Sequence, residues 1–243
     1  MTDIHCHILP GVDDGAASFE EAMVMARLAV ESGVHAIAAT PHFYGTAESL
    51  SQIPVILSRL EALREQIRME GLGLEIYPGV EVLSTPETPK LAAQRLLPTI
   101  GSGRYFLTEF FFDERTEFMD GILEQIAALG YIPLIAHPER YFAVQKNPDT
   151  VARWFREGYA VQVNKGSVLG AFGSRSETVA LDLLEMGVVH MIASDAHHAD
   201  HRTTHMGRVY RWCAEELGKE YTKILFEENP ARVIEGRELA PVY

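Results

Sequence analysis

The chain has 243 residues, 47% hydrophobic and 23% charged, which is ample apolar material for a folded core and excludes a disordered chain. Its formal net charge of −13 argues against a nucleic-acid partner, since such binders meet the phosphate backbone with clustered lysine and arginine. Its two cysteines, Cys6 and Cys213, are too few for a disulfide-stapled secreted scaffold.

The opening Met1-Thr2-Asp3-Ile4-His5 goes straight into polar residues, without the basic and apolar stretches of a signal peptide. No apolar run reaches the roughly 18 residues that span a bilayer. The expectation is a cytoplasmic protein without direct membrane insertion. Short apolar stretches then alternate with longer amphipathic ones, the pattern of repeated β/α units around a parallel sheet or barrel. About seven strands are predicted, at residues 2–5, 35–40, 75–80, 105–110, 132–136, 160–163 and 189–194.

Between the strands, Ser18-Phe19-Glu20-Glu21 reads as a capping box opening a helix that stops at Gly33. Pro54 suits a first helical turn, and Ile53, Ile56, Leu57, Leu60, Leu63 and Ile67 share one face of a helix ending at Gly71. Further helices are predicted over residues 117–129, 148–157, 177–186 and 205–217, and residues 84–89 form a loop suited to covering a site. No linker, repeat or low-complexity segment interrupts the alternation, which predicts a single domain over residues 1–243, with no partner-binding tail after the last helix.

Histidines and acids fall at or just past the predicted strand ends, where the βα loops of a parallel barrel converge. His5 and His7 are two residues apart in a strand and share a face. Asp13-Asp14-Gly15 reads as a turn, and Asp14 taken alone fits an Asx turn better than a ligand. His42 and His137 each stand beside a proline directly after an apolar strand. Glu81 follows Tyr77-Pro78-Gly79-Val80, and Glu109 interrupts Phe106-Leu107-Thr108-Glu109-Phe110-Phe111-Phe112, where a carboxylate must be paired, protonated or bound to metal. Asp195 and His197 close the set.

Nine such donors exceed what one ion takes, so two or three ions are predicted, with Glu81 suited to bridging. Imidazole and carboxylate without thiolate suit zinc, iron or manganese. His35 and His190 lie at strand starts and read as structural or solvated, while His198, His201 and His205 default to the surface. Cys6 alternates away from His5 and His7 as a small core residue.

The H-x-H opening, the strand-end glutamates, Ala136-His137-Pro138-Glu139-Arg140 and Ser194-Asp195-Ala196-His197 resemble the polymerase and histidinol phosphatase (PHP) superfamily. Within it the chain is most similar to the bacterial protein-tyrosine phosphatases of capsule and exopolysaccharide operons, through residues 3–15, 39–42, 78–81, 131–140 and 193–197. The resemblance implies an α/β fold, a distorted seven-stranded (β/α) barrel with three clustered divalent ions, manganese preferred. It implies that His5, His7, Glu81 and Asp195 hold one ion, Glu81, Glu109 and His137 a second, and Asp14, His42 and His197 a third. It further implies a phosphotyrosine-containing protein as substrate, an autophosphorylating bacterial tyrosine kinase.

On that footing the expected chemistry is direct attack on phosphorus by a metal-bridging hydroxide, with no phosphoenzyme. Arg140 and Arg202 are the candidates for bidentate phosphate contacts. Phe43, Tyr44, Phe111, Phe112, Tyr141 and Phe142 are available to flank an aryl ring, although most aromatics at such spacing are core. The C-x5-R motif of cysteine phosphatases is absent, since Val12 and Lys219 stand six residues after the cysteines. Readings that share the same residues are a small-molecule phosphatase, such as one for histidinol phosphate, and a metal-containing phosphoprotein-binding module.

Overall fold

Apolar stretches of four or five residues are long enough for a strand and too short for a helix, and the chain folds accordingly. The computed structural model describes residues 1–242. In chain order the elements are β1 (Thr2–Cys6), α1 (Phe19–Glu31), β2 (Ala36–Ala39), β3 (His42–Tyr44), α2 (Ile53–Glu70), β4 (Glu75–Pro78), β5 (Glu81–Leu83), α3 (Thr88–Ala93), β6 (Tyr105–Glu109) and α4 (Thr116–Ala128). They continue with β7 (Ile132–Ala136), α5 (Phe142–Lys146), α6 (Asp149–Arg156), β8 (Ala160–Asn164), α7 (Lys165–Val168), α8 (Ser174–Glu185), β9 (Met191–Ala193), α9 (Gly207–Glu216), α10 (Lys219–Lys223) and α11 (Asn229–Ile234). Among the described residues no helix is long and apolar enough to cross a membrane.

All strand pairing is parallel, as expected, but a continuous seven-stranded barrel is not found among the described residues. The ladder runs as two sheets, β1-β2-β4 and β3-β5-β6-β7-β8-β9. Proline cannot donate to a ladder. Pro41 therefore separates β2 from β3, and Pro78 with Gly79 separates β4 from β5. His42 and Glu81, expected just past strand ends, instead open short strands of their own, paired with each other in register. The sheets meet where β1 runs beside the end of β9: Asp195 N–H donates to the His5 carbonyl, and His7 N–H to that of Ala196, both at 2.9 Å.

Period-2 alternation sorts each strand into an outward and an inward row. Outward residues such as Ile37, Phe106, Ile135, Val161 and Ile192 pack under the helices. Inward residues are apolar at the strand beginnings, where Ala36, Tyr105, Leu134, Ala160 and Met191 gather with Ile100, Val233 and Ile234. The same rows turn polar at the strand ends: Tyr105 and Leu107 lead to Glu109, and Ala160 leads to Gln162 and Asn164. One end of the fold is thereby sealed with hydrocarbon and the other lined with donors.

The helices α1, α2, α4, α6, α8 and α9 fall in their predicted windows, whereas α3, α5, α7, α10 and α11 are additional to the prediction. Ser18 caps α1 by accepting from Glu21 N–H at 3.3 Å. The reciprocal half of the capping box is absent, because the Glu21 carboxylate takes Ala17 N–H at 2.9 Å and Ala199 N–H at 3.3 Å. The predicted covering loop lies against the loop after β3, with Thr85 Oγ1 donating to the Gly45 carbonyl at 2.7 Å.

Candidate metal centre

Three segments bring the first ligands together. The inward rings of His5 and His7 lie with their Nε2 atoms 3.2 Å apart. The turn carrying Asp13 and Asp14 folds back onto His7, with Ala16 N–H donating to the His7 carbonyl at 3.0 Å. Glycine is required at position 15, because a Cβ there would stand 2.1 Å from that carbonyl oxygen. Asp13 Oδ2 then lies 2.7 Å from His7 Nδ1 and accepts His42 N–H at 2.8 Å, so one carboxylate orients two histidines.

Glu81 is the hub. Its Oε1 lies 2.8 Å from His137 Nε2. Its Oε2 has His5 Nε2, His7 Nε2 and His42 Nδ1 at 3.2, 3.3 and 3.1 Å. Glu109 lies 3.0 Å from His42 Nδ1 and 3.9 Å from His137 Nε2. Asp14 lies 3.5 Å from His42 Nε2 and 3.6 Å from His197 Nε2, and Asp195 Oδ1 approaches His5, His7 and His197 at 3.5 to 3.6 Å. All nine residues proposed from the sequence thus converge. Three groups have ligand atoms mutually within 4.8 Å: His7, Asp14, His42 and His197; His5, His7 and Glu81; and His42, Glu81 and Glu109.

Whether cations fit this cluster is decided by Glu81. Its Oε2 is buried and accepts no hydrogen bond in the structure, although three ring nitrogens surround it. Donor atoms packed around a shared point, rather than bonded to one another, form a cation cage. The charge balance agrees. Burial opposes ionising Glu81, yet His5, His137 and His42 hold its pKa well below the carboxylate range. Burial likewise opposes charging His42, but the carboxylates of Glu109 and Glu81 beside it prevail and raise it to about 10. His197, buried beside His7, falls to about 3 and stays a neutral imidazole. The carboxylates demand positive charge, which protons meet in the bare protein and divalent cations can meet in the same space.

Backbone strain marks the same place. His137, Asp195 and Arg202 adopt left-handed φ of 36°, 47° and 47°, and Arg95 is the other non-glycine residue of that kind among those described. Such conformations persist where the surroundings over-determine them. Both candidate arginines reach the centre: Arg202 Nη2 lies 2.7 Å and Arg140 Nη1 3.6 Å from Asp195 Oδ2. Arg140 is sandwiched between the rings of Phe112 and Phe172, at 4.4 and 4.5 Å.

Several contributors were not singled out from the sequence. Gln162 Oε1 lies 2.9 Å from His5 Nδ1, its amide donates to Asn164 Oδ1 at 2.8 Å, and Asn164 donates to Asp195 Oδ2 at 2.5 Å. This relay joins two candidate ligands, His5 and Asp195, and its signal was present as polar residues at alternating positions of a strand. Lys165 is buried and donates to the Thr203 and His205 carbonyls, tethering the loop that carries Arg202. Of the proposed aromatics, Phe43 and Tyr141 are wholly buried, and Tyr141 is committed to the Ala136 carbonyl at 2.8 Å. These two are core, whereas Tyr44, Phe111, Phe112 and Phe142 are exposed. His190 is structural, with Nδ1 accepting Val161 N–H at 3.1 Å.

Fold and site together define a parallel α/β protein with a histidine and carboxylate centre at its strand ends, flanked by arginines. The chain belongs to the family described as capsular polysaccharide synthesis, CpsB/CapC, which it matches over residues 1–235. It is 34% identical to the tyrosine-protein phosphatase YwqE of Bacillus subtilis, across 93% of this chain and 89% of that protein. With the tyrosine-protein phosphatase CpsB of Streptococcus pneumoniae it shares 31% identity, across 96% and 98%. A solved structure from work on YwqE and CpsB, described there as unique metal-dependent tyrosine phosphatases, superposes with a TM-score of 0.90 at 31% identity, covering 99% of this chain and 97% of that one.

Proposed function

We propose that this chain is a metal-dependent phosphotyrosine phosphatase, a phosphoric monoester hydrolase acting on a phosphotyrosine-bearing protein. The observation that carries the reading is Glu81 Oε2, buried among three imidazole nitrogens at 3.1 to 3.3 Å without a hydrogen bond, beside two arginines gathered on Asp195. Residues 1–243 act as one domain in this reading. In it His5, His7, Glu81 and Asp195 would hold one ion, Glu81, Glu109 and His137 a second, and Asp14, His42 and His197 a third. Manganese is the preferred metal, with iron and zinc compatible with the same donors.

Divalent cations held there would supply Lewis acidity, for activating water near neutral pH and for drawing charge from the phosphoryl oxygens. The protein's own groups do the rest. Asp13 engages Nδ1 of His7 and Gln162 that of His5, so both Nε2 atoms face inward. Arg140 and Arg202 hold the phosphoryl oxygens with their planar forks, and Asp195 sets the position of both. The departing phenolate has a conjugate acid of pKa about 10, so a strong general acid is dispensable. Neither cysteine serves as nucleophile: both are buried, and burial pushes the Cys213 thiol up to about 12 and that of Cys6 well above its ordinary value.

The partner in this reading is an autophosphorylating bacterial tyrosine kinase that controls capsule or exopolysaccharide synthesis. The compartment is the cytoplasm, where two free thiols stay reduced. The test is phosphate release from a phosphotyrosine peptide and from histidinol phosphate, with manganese and then with chelator. Chelator is expected to abolish turnover of the peptide. The doubly substituted His5→Ala/His7→Ala protein is expected to lose roughly 10³-fold, about 4 kcal/mol of transition-state stabilisation. A preference for histidinol phosphate would keep the chemistry and overturn the substrate.

A further inference from the structure

Two openings lead away from the centre, and they differ in charge. One is lined by Asp13, Asp14, His42, Tyr44, Leu83 and Glu109, with carboxylates prominent. The other is a groove of about 520 Å³ lined by Phe112, Arg140, Phe142, Gln145, Phe172 and Arg175, with no carboxylate in its lining. Arg140 belongs both to this groove and to the group around Asp195, so the groove is continuous with the proposed phosphate position. Arg175 stands exposed in the first turn of α8, without an ion-pair partner among the described residues. Phe142 is 50% exposed beside it. In a chain of net charge −13, an uncovered arginine next to an uncovered phenyl ring is a local exception.

We infer that this groove seats the peptide segment flanking the phosphotyrosine, and that Arg175 selects an acidic side chain in that segment. The inference rests on the phosphotyrosine reading above. A peptide anchored by its phosphate at Arg140 continues along the groove that Arg140 itself lines, where an acidic flank meets Arg175 and no carboxylate. Extended chain advances roughly 3.3 Å per residue, so contacts in the groove fall within a few positions of the phosphotyrosine. Phe142 supplies apolar contact for the stem of the acidic residue or for its neighbour.

The experiment compares kcat/KM for three substrates on manganese-loaded protein: a phosphotyrosine peptide with glutamate flanks, one of equal length with lysine flanks, and p-nitrophenyl phosphate. Wild type is expected to prefer the acidic peptide by about fivefold, the scale of one exposed ion pair. Arg175→Glu is expected to erase or reverse that preference while leaving p-nitrophenyl phosphate turnover unchanged, which also reports an intact fold. Phe142→Ala is expected to weaken both peptides. Equal rates on the two peptides, or a preference that survives Arg175→Glu, would overturn the groove and leave the phosphatase reading standing. Turnover of p-nitrophenyl phosphate with neither peptide accepted would instead overturn the phosphotyrosine reading itself.

Discussion

The same residue type behaves in opposite ways at the two ends of the strands. At the ends, His42 sits among Glu81 and Glu109 and its pKa rises to about 10. At the beginnings, burial lowers that of His190 to about 4, its ring stacked on Phe155 at 4.8 Å with Nδ1 already accepting a backbone N–H. Among the described residues no carboxylate is paired with His190, and its ring lies against Phe155 on the helix-covered side of the sheet. Histidine is thus a structural acceptor at one end and part of a charge-hungry cluster at the other. His190 has the parity of the outward Ile192 and turns under α6, whereas His42 lies where the inward rows have passed from hydrocarbon to donors.

The largest effect expected from this contrast lies at the strand beginnings. A folded pKa of about 4 against 6.5 unfolded means that the unfolded chain binds the extra proton between those values. Stability therefore rises with pH across that window and is lost as pH falls from about 6.5 toward 4, by at most about 3 kcal/mol from this residue. His190→Asn, which keeps an acceptor near Val161 N–H and does not titrate, is expected to flatten that part of the profile. Urea unfolding of the metal-free proteins between pH 4 and 7 measures it, and parallel profiles for the two proteins would show that the ring is charged when folded.

A smaller effect tests whether the strand ends depend on the layer beneath them. Gln162 holds His5 through Nδ1 and reaches Asp195 through Asn164. Outer partners of this kind are worth about 10 to 100-fold in metal affinity or activity. Gln162→Leu is expected to shift manganese activation of turnover by that factor, whereas Gln162→Glu, which keeps an acceptor toward His5, should shift it less. An unchanged activation curve for the leucine variant would confine the centre to its ligands.

How much of this was legible before folding follows from the same contrast. His5, His7, Glu81 and Glu109 stand out in the sequence because they interrupt apolar strands, and an ionisable group in such company needs a chemical reason. Gln162 and Asn164 carry the same alternation, but amides are weak ligands and attract less notice. Asp13 was hidden in its turn beside Asp14, since only the fold brings it against His7 and His42. The proline breaks at Pro41 and Pro78 were visible, yet the register that restarts each strand as β3 and β5 is a property of the neighbouring strands. Arg140 and Phe112 stood out separately in the sequence, as a phosphate contact and a ring-flanking aromatic, but their stacking with Phe172 over Gly166, across sixty residues, is set by the fold alone.

That stack carries the smallest and most specific expectation. A Cβ on Gly166 would come 2.6 Å from Cε2 of Phe172, so the ring lies directly on the glycine with Arg140 over it. Gly166→Ala must displace the ring, and Arg140 with it, while favouring the helical turn of α7 in which residue 166 lies. A cation and aromatic contact at a partly exposed site is worth about 0.5 to 1 kcal/mol, which sets the expected rise in KM for a phosphotyrosine peptide at about twofold to fivefold. Phe172→Ala removes the same ring and is expected to do the same. Because both act through one ring, the double variant should be no worse than the more damaged single, whereas independent sites would multiply their effects. A multiplied loss would mean that Gly166→Ala acts by a route other than the Phe172 ring, and KM values unchanged in both singles would mean that Asp195 alone suffices to hold Arg140.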